Sequence, residues 1–299
     1  MALLTVLIFT LCVDSSWGFL FKDSADLDFM NGTLIGTVQD SRVVKTSGCA
    51  ASRKHPGILY IHNDHHHAGA TIFAINATTA QVVGSITLTN AVNSDWEDIA
   101  VGPCPTREGV SCVFIGDIGT DKGHPAADNI YLIAEPDMVT GQHNVPYEKI
   151  LKYSFSELGS DALMVDPKGD LYMIAIQRGG NGGYYHIPKN AWNSNSRVPL
   201  TVSGHMTLNT GHEKDPVAGD ISPDGIAMLV KTQHSMLLWR FDANDFTGMF
   251  QRQPMSVPYI YVWQDEAVCW NHDGTGYYTI PEGTNPPLHF YPSSGINSY

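Results

Sequence analysis

Residues 96–117 read Trp-Glu-Asp-Ile-Ala-Val-Gly-Pro-Cys-Pro-Thr-Arg-Glu-Gly-Val-Ser-Cys-Val-Phe-Ile-Gly-Asp, and this stretch decides the fold. It opens on acids, runs into apolar residues, breaks at a Pro/Gly-rich turn and returns as a second apolar run ending on an acid. The same order recurs along the chain. First segments start at Ser47 (SGCAA), Glu97 (EDIAV), Asp161 (DALMV), Val217 (VAGDI) and Glu266 (EAVCW), with spacings of 50, 64, 56 and 49 residues. A turn signal follows each: RKHPG from Arg53, Pro103 to Gly109, DPKGD from Asp166, SPDG from Ser222 and NHDGTG from Asn271. Second strands are ILYIHND, CVFIGDIG, LYMIAIQ, MLVKTQ and GYYTIPE; third strands are ATIFAIN, NIYLIAEP, GYYHIPK, MLLWRF and LHFYPS. Fourth strands are less regular: VVGSITLT, KILKYSF, HMTLNT and VPYIYVW.

Short strands joined by turn chemistry, with a period near 50 residues, describe an all-β fold: a β-propeller of five four-stranded blades. A six-bladed ring with one degenerate blade, or an open β-sandwich, are the alternatives. The fifth repeat ends after LHFYPS without a fourth strand. The segment Leu34 to Val44 precedes the first repeat and is predicted to supply that strand, closing the ring and leaving no free sheet edge at the seam.

Ahead of the repeats, Met1 to Gly18 carries the apolar run ALLTVLIFTLCV followed by Ser16 and Gly18 at the spacing of a signal-peptidase site. We therefore expect a signal peptide over 1–18, a single propeller domain over 19–299, secretion and no membrane span. Cys104 and Cys112 bracket a short turn between two strands, the geometry of a hairpin disulfide in an oxidising compartment. Cys49 and Cys269 are either partners or two buried thiols. Asn31 (NGT) and Asn76 (NAT) are glycosylation sequons. The chain carries 30 acidic against 17 basic residues, a net charge of −13, and no basic run. A nucleic-acid partner is excluded on that ground, because phosphate contacts need clustered Lys and Arg.

In a propeller the first strand of each blade lines the central channel and the second runs back beside it. The starts of first strands and the ends of second strands therefore share one face. That places Ser47, Glu97, Asp161, Val217 and Glu266 at the channel mouth, with His62, Asn63, Asp64, Asp117, Gln177, Lys231 and Glu282 around them. Six of these are carboxylates and one, Lys231, is basic. Close carboxylates repel unless a cation or a shifted protonation relieves them. Hard oxygen donors at a wide, partly hydrated site suit Ca²⁺, with Ser47, Glu97, Asp161 and Glu266 as the expected axial set. The simpler alternative is that these acids are solvated or bonded to backbone amides. His65, His66 and His67 extend the loop after His62 and read as solvated. Trp192, Trp239, Trp263 and Trp270 read as packing between blades, whereas Trp96, flanked by Asp95 and Glu97, is expected at the exposed face. No nucleophile elbow or phosphate loop is present.

The segments SGCAASRKHPGILYIHND, NSDWEDIAVGPCP, VFIGDIG, SDALMVDPKGDLYMI, AGDISPDGIAMLVKT and EAVCWNHDGTGYYTIPEG together resemble a family of secreted, largely uncharacterised propellers. The DWEDIA…GDIG pair is the most specific part. The chain departs from that pattern at His65–His67 and at Thr120-Asp121. In architecture alone it is also similar to the five-bladed calcium-dependent nucleotidases (apyrases), which hold an axial Ca²⁺ with Ser and Glu residues of the innermost strands. Ser47, Glu97, Asp161 and Glu266 stand at similar places and Val217 breaks the set. The basic residues that class uses on nucleotide phosphates have no counterpart, so nucleotidase activity is not implied. Two functions follow as expectations. One is an extracellular binding or matrix protein that engages a partner, a glycan or a mineral surface through a calcium-holding face. The other is a metal-dependent hydrolase of the phosphoesterase or esterase type.

Overall fold

The computed structural model describes residues 28–64, 69–120, 128–155, 159–175, 181–208, 216–241, 248 and 250–293. The expected signal peptide, His65–His67 and Gln177 lie outside these residues. Strand β1 (Thr33–Thr37) is followed by blade one: β2 (Thr46–Ala51), β3 (Ile58–Asn63), β4 (Thr71–Asn76) and β5 (Val82–Leu88). Blade two comprises β6 (Trp96–Pro103), β7 (Ser111–Asp117), β8 (Asn129–Ala134) and, after β9 (Gly141–Val145), strand β10 (Lys149–Ser154). β9 itself adds in parallel to the outer edge of blade one, beside β5. Blade three holds β11 (Ser160–Val165), β12 (Leu171–Ala175), β13 (Asn181–Ile187) and, after the two-residue β14 (Val198–Pro199) that edges blade two, β15 (Gly204–Thr207). Blade four is β16 (Pro216–Ile221), β17 (Ala227–Thr232), β18 (Met236–Arg240) and β19 (Met255–Ser256); blade five is β20 (Ala267–Trp270), β21 (Gly276–Ile280) and β22 (Pro287–Pro292).

The ring closes as the repeat requires. β1 pairs antiparallel with β22, so blade five takes its outermost strand from the start of the domain. The strand is shorter than expected: pairing ends at Thr37, and residues 38–45 cross to β2 through a turn bonded from Val43 N–H to the Asp40 carbonyl. Blade four also differs. Its outer strand is Met255–Ser256, and 257–263 is irregular, because Pro258 removes a ladder donor there.

Local chemistry explains the hairpins. The turn joining the first two strands of each blade carries a glycine with positive φ: Gly57, Gly109, Gly169, Gly225 and Gly274, between +72° and +88°. Only glycine adopts that conformation without steric cost. The core is correspondingly divided. Successive strand residues point to opposite faces, so each inner strand feeds the interfaces on both of its sides. Five apolar clusters result, one per pair of adjacent blades. In β2, for example, Cys49 and Ala51 pack against blade five while Ala50 packs against blade two. Trp192, Trp239 and Trp270 are buried in such interfaces, but Trp263 is 70% exposed on the irregular segment after β19.

Candidate functional site: the acidic channel mouth

The axial side chains are delivered by a shared irregularity. In β2, β6, β11 and β16 the register slips by one residue between Thr46 and Gly48, Trp96 and Asp98, Ser160 and Ala162, and Pro216 and Ala218. The unpaired residues of these bulges are Ser47, Glu97, Asp161 and Val217. A bulge bends the strand and re-aims the extra residue, here toward the axis. Glu266, immediately before β20, completes the set.

The bulges and the start of β20 bring Glu97, Asp161, Val217 and Glu266 together around a cavity of about 300 Å3 that Asp64 and Glu282 also line. Ser47 is fully buried and donates its hydroxyl to Glu97 Oε2 at 3.1 Å. Three further residues reach the cavity that sequence reasoning missed: Lys45, Gln233 and Gln264. Lys45 is the basic residue of the mouth, bonded to Asp64 at 2.8 Å and 3.7 Å from Glu282. Its position is fixed by Asn63, whose side-chain oxygen accepts the Val44 and Lys45 backbone N–H groups.

Lys231 does not stand among the mouth acids as expected. It is fully buried, and its ammonium donates to the Thr232 carbonyl and the Tyr259 hydroxyl. Burial holds its pKa below the ordinary lysine value, against the opposing charges of Asp265 and Glu266.

The mouth is strongly electronegative. Burial, then the charges of Asp161, Asp95, Asp64 and Glu266, hold the Glu97 carboxyl well above the ordinary range. Burial also raises Glu266, which hydrogen-bonds carboxyl to carboxyl with Glu282. Glu282 is pushed up to about 8, by burial first and then by the Glu266 charge. Two carboxyls so placed titrate as a pair and not as independent groups.

Two expected site residues serve the scaffold instead. Asp117 is buried, and its Oδ1 accepts the Ser94 and Asp95 N–H groups at 3.1 and 2.8 Å. It thereby fixes the turn that presents Glu97; burial raises its pKa to about 6. His62 is completely buried, edge-on to Trp96 with ring centroids 5.6 Å apart, and burial lowers its pKa to about 4. Trp96 is likewise fully buried rather than exposed, packed between blades one and two with its indole N–H on the Val92 carbonyl at 3.1 Å. The bulge at Glu97 aims that acid at the channel and leaves its neighbours Trp96 and Asp98 buried.

The DWEDIA…GDIG pair acquires a spatial meaning here. Gly119 packs directly against Glu97 and Asp95: a Cβ at Gly119 would overlap the Glu97 carboxylate and lie 2.6 Å from Asp95 Oδ2. Asp98, fully buried, accepts N–H groups from Ile99 and Leu163 at 2.9 Å and from Gly219 at 3.2 Å. One carboxylate thus ties blade two to blades three and four. Asp220 continues the pattern, accepting the Trp270 N–H of blade five at 2.8 Å. Both acids were passed over in the sequence because they read as strand interior. The expected disulfide Cys104–Cys112 is present.

The donor set at the mouth is all oxygen, which suits a hard cation such as Ca²⁺. Among the described residues no group of three acidic, histidine or cysteine side chains is placed to hold a metal ion. No described helix is long and apolar enough to cross a membrane.

No protein-family model matches the chain, and no curated protein sequence matches it. Solved structures match in fold. The PQQ-bound aldose sugar dehydrogenase of Streptomyces coelicolor is 10% identical with a TM-score of 0.53, the match covering 91% of this chain and 100% of that one. The hydrazine synthase of Kuenenia stuttgartiensis is 12% identical over 84% of each chain, with a TM-score of 0.48. A chain of a nidogen/laminin complex is 12% identical over 80% of this chain and 73% of that one, with a TM-score of 0.43. The likeness to the sugar dehydrogenase speaks to fold alone. The chain is a five-bladed β-propeller with an acidic channel mouth.

Proposed function

We propose that this protein is a secreted, extracellular binding protein whose acidic channel mouth holds Ca²⁺ and presents it to a protein, glycan or mineral partner. The observation carrying this reading is the gathering of five carboxylates (Glu97, Asp161, Glu266, Asp64 and Glu282) around one cavity with Lys45 as its basic lining residue. Glu97, Asp161 and Glu266 are the ligands in this reading, with Ser47 positioning Glu97 through its hydroxyl. Gly119 leaves the space in which the Glu97 carboxylate sits. In this reading the carboxylates draw inward onto the ion, and because burial favours their protonated forms, binding releases protons and strengthens as pH rises. Secretion is supported by the apolar N-terminal run and the Cys104–Cys112 disulfide. Exposed Asn31 is the better placed of the two sequons, since the Asn76 side-chain oxygen caps its own turn through the Thr78 and Thr79 N–H groups.

Calorimetric titration of the secreted protein with Ca²⁺ tests the reading. A saturable isotherm that Glu97→Gln abolishes supports it; no heat of binding in either protein ends it. One feature favours the hydrolase alternative: Glu266 and Glu282 are neighbouring carboxyls of which Glu282 is pushed up to about 8 by burial and then by the Glu266 charge, an environment suited to acid–base work. Turnover of phosphoester or carboxylester substrates that depends on Ca²⁺ and fails in Glu282→Gln would decide for it.

A further inference from the structure

The seam between the first and last blades holds two cysteines that the disulfide already described leaves over. Cys49 lies in β2 and Cys269 in β20, the innermost strands of blades one and five. They are 220 residues apart in sequence, yet both are buried in the same inter-blade cluster and their sulfur atoms touch, 2.6 Å apart. Ordinary non-bonded contact between carbon atoms rests at about 3.5–4.0 Å, and sulfur is the larger atom. Two unbonded thiols therefore have no reason to approach so far, whereas a covalent bond does. Among the described residues the rest of the seam is held by non-covalent contacts, including the β1–β22 ladder, His272 on the Ser52 carbonyl, the Gly283 N–H on the Val44 carbonyl and the Lys45–Glu282 ion pair.

We infer that Cys49 and Cys269 form a second disulfide, a covalent latch that closes the propeller ring between its first and last blades. Formation removes two protons and two electrons from the thiols. The acceptor is a disulfide oxidant, a small-molecule disulfide or a protein dithiol–disulfide carrier, whose own S–S bond breaks to give two thiols. The step passes through a mixed disulfide with one of the two cysteines. Both side chains are almost wholly buried in the finished ring, so exchange takes place before blade five docks on blade one. Burial and the apposed Cys49 also hold the Cys269 thiol well above its ordinary value, so few thiolates would form inside a closed ring. The latch is unlike Cys104–Cys112, which spans 8 residues and staples one hairpin.

The test uses the full-length protein secreted from an oxidising compartment. It is alkylated in denaturant without reductant, digested, and mapped by mass spectrometry. The expected result is a cross-linked peptide joining Cys49 to Cys269, lighter by two hydrogens than the sum of its parts, with neither residue alkylated. Alkylation of both residues, or linkage of either to Cys104 or Cys112, overturns the inference. A second measurement does not depend on the digest: mild reductant should lower the unfolding midpoint of the parent by more than that of the double variant Cys49→Ser/Cys269→Ser. Equal responses would also overturn it.

Discussion

Glu97→Gln separates the calcium-holding mouth from a mouth of merely crowded acids, because the two predict opposite signs. The substitution is nearly isosteric. The glutamine oxygen still accepts the Ser47 hydroxyl, which lies 3.1 Å from the present carboxylate, and nothing new presses on Gly119. What changes is one charge among Asp161, Asp95, Asp64 and Glu266. Without an ion, Glu97 is a carboxyl whose folded pKa stands above its unfolded value. The folded state then binds the proton more tightly, so stability declines as pH rises above the unfolded value. Glu282 behaves likewise, over a window from its ordinary 4.5 to about 8. In chelator at pH 7.5 the variant should be as stable as the parent or more so. With Ca²⁺ at one hundred times its Kd, the parent gains about 2.7 kcal/mol by mass action. With an unfolding entropy of roughly 2.1 cal/mol/K per residue over a domain of about 280 residues, that is a rise in Tm of about 5 °C. Most of the rise should be missing in Glu97→Gln. Differential scanning calorimetry of both proteins, with Ca²⁺ and with chelator, reads every term. A variant at least as stable as the parent in excess Ca²⁺, with no response to chelator in either, would refute the calcium site and leave the propeller standing.

Asp98→Ala should cost about 3 kcal/mol or more, since it strands the buried Leu163 and Gly219 amides of two other blades; a urea midpoint within error of the parent would count against its bridging role. Gly48→Ala should destabilise by about 1–3 kcal/mol, because a Cβ would come within 2.9 Å of the Ile99 nitrogen and 3.0 Å of the Asp98 Cα, backbone that cannot turn aside. Breaking the Cys49–Cys269 latch, which closes 220 residues, should lower stability by about 5 kcal/mol on chain entropy, against about 2.5 kcal/mol for the 8-residue Cys104–Cys112 loop. Denaturant unfolding of each pair's double serine variant compares the two. The raised Glu97 and Glu282 carboxyls should make Ca²⁺-free protein lose stability from pH 5 to pH 8 relative to the Glu97→Gln/Glu282→Gln variant, which keeps the opposing contribution of buried His62, lowered to about 4; equal pH slopes in the two proteins would contradict the raised carboxyls.

Five repeats, their order and the closing strand were legible in the sequence because each rests on local chemistry. Alternation sets which residues face each neighbouring blade, a glycine with positive φ marks every inner hairpin, and a repeat lacking its fourth strand must borrow one. The shared face of Glu97, Asp161, Glu266, Asp64 and Glu282 followed from antiparallel geometry alone. Tertiary structure decided the rest. A bulge exists only relative to a partner strand, so the slips that aim Glu97 and Asp161 at the axis and bury Trp96 leave no trace in composition or period. Asp98 finds its amide donors 65 and 121 residues away, and an acid bonded to amides of other blades looks, in sequence, like any acid in a strand. Lys45 reaches the mouth and Lys231 is drawn beneath it for the same reason: which charge meets the cavity depends on how segments cross between blades, and that is settled only when the ring closes.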